Sequence, residues 1–147
     1  GGYRGCMKDV IIKIKGTQVN HNENDENVIE FSTDGKLESI EDGVCLYYDE
    51  SELLGAENCR SSLSVLKDRS VVLERTGDMN SRLVIEADKR NNCFYDTPYG
   101  SMKIGIYGEL VESTLNENGG ELKLKYTLDS DLKPISINKL EIKVNEV

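Results

Sequence analysis

Over much of the chain, apolar residues recur at every second position. In KDVIIKIKGTQ, Val10, Ile12 and Ile14 fall on one face of an extended strand. ELKLKYTLDS sends Leu122, Leu124, Tyr126 and Leu128 one way and Glu121, Lys123, Lys125 and Thr127 the other. SMKIGIYG repeats the pattern with Met102, Ile104 and Ile106, and LEIKVNEV with Leu140, Ile142 and Val144. Such alternation predicts half-buried antiparallel strands with one wet face. No stretch holds a 3.6-residue period; ESELLGAEN, residues 50–58, is the best candidate for a helical turn, ending near Gly55.

Turn-forming residues separate these runs. Asp34-Gly35, Asp42-Gly43, Thr76-Gly77-Asp78, Asn91-Asn92, Pro98-Tyr99-Gly100 and Asn118-Gly119-Gly120 read as hairpin breakers. The segments between them mostly run about eight to twelve residues, the spacing of an all-β sandwich or barrel. Near the C-terminus the phase slips: Ile135 and Ile137 are odd, whereas Leu140, Ile142 and Val144 are even. Burying both sets predicts a β-bulge near Asn138-Lys139. Roughly nine or ten strands in sequence order can roll up and remove their exposed edges. A barrel of more than about eight strands has interior room to spare.

Against that frame, VVLERTGDMNSRLVIE contains an anomaly. Arg75 shares the spacing of Val71 and Leu73, so it points into the barrel or reaches its rim. A buried guanidinium must be paired and hydrogen-bonded. Two readings follow: a structural plug closing one barrel end, the commoner outcome for a buried charge, or a clamp for a ligand's carboxylate or phosphate. Tyr95, Thr97 and Tyr99 share one strand phase, with Tyr48 as a partner across the lumen. They read either as hydroxyls lining a ligand site or as packed rings whose hydroxyls reach solvent.

Composition narrows the function. The 147 residues carry a formal net charge of −9, with 37% hydrophobic residues. That excess of acid disfavours nucleic acid and anionic membranes as partners. Cys6, Cys45, Cys59 and Cys93 form no C-x-x-C pair and read as reduced, cytosolic thiols. His21 is the only histidine, and His21, Glu23, Asp25 and Glu26 lack the register of a calcium loop, so no metal is predicted. With no G-x-S-x-G, phosphate loop or dinucleotide fingerprint, neither catalytic residues nor a cofactor are indicated. Neither a membrane span nor a signal segment is visible. Residues 1–6 read as an N-terminal leader or cloning remnant and residues 7–147 as a single domain.

The motif order VIIKIKGTQ, VIEFSTDGKL, VCLYYDESELLG, VVLERTGDMNSRLV, FYDTPYGSMKIGIYG and GGELKLKYTL resembles the YwiB-like family of small bacterial proteins of unknown function. The R-x-G at Arg75 and Gly77, followed by Met79 and Asn80, carries most of that likeness; the Y-x-T-x-Y-G at Tyr95, Thr97, Tyr99 and Gly100 comes next. The resemblance implies a calycin-like, lipocalin-like antiparallel β-barrel and supplies no activity. The chain has no tryptophan and therefore lacks the G-x-W of true lipocalins.

The expectation is one closed or nearly closed up-and-down barrel in the cytoplasm, as a monomer or homodimer, binding a small amphipathic or anionic molecule inside. Arg75 would hold the charged end, and Tyr48, Tyr95, Thr97 and Tyr99 would line the wall. The alternative is a protein-interaction module with a self-filled barrel. The balance leans away from an enzyme; acids at the barrel mouth remain a minor third option.

Overall fold

Among the described residues, ten antiparallel strands roll into one closed barrel in the computed structural model. They are β1 Met7–Asn20, β2 Glu26–Ile40, β3 Gly43–Asp49, β4 Arg60–Leu66, β5 Val71–Thr76, β6 Ser81–Ile85, β7 Arg90–Thr97, β8 Gly100–Ser113, β9 Gly120–Ser130 and β10 Lys133–Glu146. Each strand pairs with its neighbours in sequence, and β1 closes the ring on β10. The structure describes residues 7–22, 25–49, 60–77, 80–97 and 100–147, with backbone alone at 95–97. Among the described residues there is no helix, and none long and apolar enough to cross a membrane. The proposed helical turn at 50–58 lies outside them, as do Cys6 and Cys59.

Register stacks the inward side chains in layers. Val44, Val65, Val71 and Ile85 stand directly opposite one another across β3 to β6. Two residues along, about 6.6 Å at strand rise, Leu37, Leu46, Leu63, Leu73 and Leu83 form an unbroken leucine row from β2 to β6. Across the lumen Phe31, Ile14, Ile142 and Leu122 form another row. Burial is uneven within the barrel. Val10, Ile12, Leu37, Leu46, Leu63, Ile106 and Leu122 are sealed, whereas Leu73, Leu83, Leu128 and Leu140 are only partly buried. The interior is therefore tightly packed around the first set and open beside the second.

Several expected breaks fall elsewhere. Asp34-Gly35 does not turn the chain; it lies inside the 15-residue β2, where Gly35 pairs with both Val10 and Tyr48. A Cβ at Gly35 would collide with Ile12 Cδ1 and with the Tyr47 carbonyl oxygen, so the glycine serves a close approach within the sheet. Asn91-Asn92 likewise lies within β7; the preceding turn is at residues 86–89, with Asp88 at φ 62°. The β9–β10 turn uses Asp131 and Leu132, both with positive φ, a hairpin geometry that the sequence does not advertise with glycine.

The C-terminal phase slip also resolves differently. The register irregularity lies between Pro134 and Ser136, not at Asn138-Lys139. From Ser136 onward the even positions face inward without interruption, so Ser136 and Asn138 are buried and Ile137 is 45% exposed. Two polar side chains thus enter the barrel while an isoleucine is left outside. Asn138 compensates by donating from Nδ2 to Ser136 Oγ at 3.0 Å.

Candidate functional site

The layering ends in a polar row. Beyond the leucines, Gly35, Tyr48, Ser61, Arg75 and Ser81 stand in successive register across β2 to β6. Arg75 therefore sits between two serines, Ser61 on one strand neighbour and Ser81 on the other. On the opposite wall Gln18, Asn138 and Tyr126 form a second polar row across β1, β10 and β9. These rows border a cavity of about 360 Å³ whose apolar lining includes Ile14, Phe31, Leu73, Leu83, Leu128 and Leu140. Its size falls within the range of small-molecule sites.

Arg75 and Tyr48 thus lie on one wall of one cavity, separated by Ser61. Both also take part in interactions within the chain. The Tyr95 backbone continues the polar row opposite Ser81, and Thr97 pairs with Gly100. The side chains of Tyr95 and Thr97, and Tyr99 as a whole, lie outside what the structure describes. Sequence reasoning missed Ser61, Ser81, Gln18 and Asn138, and it treated Tyr126 as core. The available signal was a polar residue at the end of an apolar alternation, as in Ser61-x-Leu63-x-Val65 and Ser81-x-Leu83-x-Ile85.

The electrostatics are simple. Glu74 borders the cavity but belongs to the outward phase, 3.8 Å from Arg82. Burial pushes the Cys93 thiol up, away from the thiolate form that a nucleophile requires. Tyr47 is on the outer face, where a hydrogen bond with Cys45 and then burial push it up to about 12. Cys45 and Cys93 are both buried, free thiols. Among the described residues no group of His, Cys, Asp and Glu is gathered for a metal, and no buried side-chain polar atom lacks a hydrogen-bond partner. His21 is at the β1–β2 turn, its backbone N–H donating to the Ile135 carbonyl.

A family model described as "Domain of unknown function (DUF1934)" matches residues 12–142. The chain belongs to the DUF1934 family. A crystal structure of the ywiB protein from Bacillus subtilis matches with a TM-score of 0.80, covering 96% of this chain and 93% of that one. Sequence identity is 16%, so the likeness shows the shared barrel fold. The YwiB-like resemblance carried by the motifs is thereby supported for a DUF1934 protein of this architecture. No curated protein matches the chain.

Proposed function

We propose that this DUF1934 barrel is a non-catalytic binding protein for a small amphipathic or anionic molecule held inside the barrel. The supporting observation is the order of the layers: Arg75, flanked by Ser61 and Ser81, lies two residues along from Leu73, whose row continues to Leu83, and all five border one cavity. A molecule with a polar head and an apolar body matches that gradient. The reading assigns Arg75 to the head and Tyr48 to the wall, with Tyr95, Thr97 and Tyr99 as further wall residues. It also makes the protein bacterial and cytoplasmic, in keeping with the free thiols of Cys45 and Cys93. A monomer or homodimer without nucleic-acid or membrane partners fits the net charge of −9.

Gly16 supplies the test. It lines the cavity, and a Cβ added there meets only Leu140 Cδ1, at an ordinary 3.9 Å. Gly16→Ile should therefore intrude into the cavity and narrow it without straining the strand. Native mass spectrometry of gently purified wild-type protein should show a retained small-molecule adduct, and Gly16→Ile should lose it. An adduct that survives in Gly16→Ile, or bare wild-type protein that also gives no thermal shift with a panel of amphiphiles, overturns the reading.

A further inference from the structure

We infer that the edge of β2 that runs past β3, residues 26–34, docks an extended cationic segment of a partner protein, which joins the barrel as an added strand. This site borders the cavity but takes a different kind of ligand.

The edge arises because β2 outruns β3. Residues 26–34 pair with β1 on one side, from Glu26 with Val19 to Asp34 with Ile11, while pairing with β3 stops at Gly35 and Tyr48. One step further in that register Asp34 would stand against Asp49, and like charges directly opposite disfavour a pair. Among the described residues, about 30 Å of strand at ordinary rise therefore keeps one row of backbone N–H and C=O groups outside any ladder. Such a row is a template for another chain.

The two faces of this edge differ. Ile29 and Phe31 are in the inward phase and border the cavity, yet Ile29 is 51% exposed. A strand laid beside them would turn every second side chain toward these two. On the outward face Glu26, Glu30 and Asp34 recur at every fourth position, all exposed. The cations beside this row, Lys13 and Lys15, lie on β1, one strand spacing further from an added strand. Lys15 comes only within 4.0 Å of Glu30, and Lys36, next on the outward face of β2, is engaged by Asp9.

Charge selects the occupant. A second copy paired antiparallel about Glu30, the middle of the stretch, would set Glu30 on Glu30 and Glu26 on Asp34. A strand with lysine or arginine in its outward phase and apolar side chains in its inward phase meets both faces.

Fluorescence anisotropy of the full chain with a labelled nine-residue peptide alternating lysine and valine tests this. It should bind at least about tenfold tighter than its glutamate–valine counterpart, the scale of a few exposed ion pairs. Glu30→Lys should lose most of that difference. Backbone pairing is read by methylating amide nitrogens of alternate residues, at the valines in one peptide and at the lysines in another. An added strand turns only one set toward β2, so one methylated peptide should lose binding and the other keep it. Equal loss in both, or loss in neither, means attraction without strand addition and overturns the proposal. So does a lysine peptide that fails to bind or binds no tighter than the glutamate one. Self-association of the protein that excludes the lysine peptide would assign the edge to a second copy instead. Glu30 faces away from the lumen, so the small-molecule adduct should persist in Glu30→Lys and the cavity reading stands or falls separately.

Discussion

At the scale of single residues, the clearest charge device lies outside the cavity. Arg90 of β7 reaches across Gly105 of β8 to Asp129 of β9, with Nε at 3.0 Å and Nη2 at 2.5 Å from the two carboxylate oxygens. A Cβ at position 105 would stand 2.6 Å from both Arg90 Cζ and Asp129 Oδ1, so only glycine leaves a bed for the guanidinium. Asp129 also accepts the Leu132 N–H at 3.0 Å and so holds the β9–β10 turn. The Arg90 hydrogen bond comes first in holding the Asp129 carboxyl below its ordinary range; the Leu132 N–H adds to it. The folded protein then binds that proton less readily than the unfolded chain. The resulting stabilisation is complete above the ordinary aspartate value, about 4, and is lost as pH falls through the lowered folded value. Asp129→Asn should melt below wild type at pH 7, with the gap closing toward pH 3. Thermal midpoints across that range check this; parallel curves would remove the pair from the account.

At the scale of the strand, the junctions are unequal. Among the described residues β6 and β7 share one register pair, Ser81 with Tyr95, whereas every other junction has at least five. Asn91 bridges the gap from its side chain, with Nδ2 donating to the Val84 carbonyl and to Glu86 Oε1, both at 3.2 Å. Sparse pairing lowers the cost of local opening. Amide hydrogens of residues 82–85 and 91–94 should exchange well before those of the β1–β2 ladder, and Asn91→Ala should hasten them further. Mass-spectrometric exchange measures this directly; uniform protection around the ring would refute it. The strands themselves were legible because a half-buried strand needs strict alternation, as Val10, Ile12 and Ile14 show. Breaks were legible only where glycine marks a turn, as at Gly43 with φ 153° ending the Glu41-Asp42 turn. Gly35 marks a close approach instead, and Leu132 adopts a turn conformation by exception, so both misled. In β10 an inward row was read from its apolar members, which hid Ser136 and Asn138. The polar rim of a hollow barrel breaks the very pattern by which cores are recognised. Arg75 was visible because a cation in an apolar phase is anomalous, whereas Ser61 and Ser81 beside it look like ordinary strand residues.

At the scale of the whole molecule, a closed ring of β-strands divides its interior between stability and function. The interior is tightly packed around Leu37, Leu46 and Leu63, and open beside Leu73, Leu83, Leu128 and Leu140. Leu63 and Leu73 are direct neighbours in register, yet the first is sealed and the second borders the cavity. Truncation separates these roles. Leu63→Ala removes dispersion contacts on all sides and leaves a void that the rigid ring cannot collapse around, at a cost of about 3–5 kcal/mol. Leu73→Ala enlarges a space that already exists, and water can enter it beside Ser61, Arg75 and Ser81. It should cost about 1–2 kcal/mol, the lost transfer free energy of a side chain that was never fully buried. Denaturant unfolding resolves the difference as midpoints that shift unequally at a common slope. Equal shifts would mean that the open region carries as much packing as the sealed one, leaving no room for a ligand.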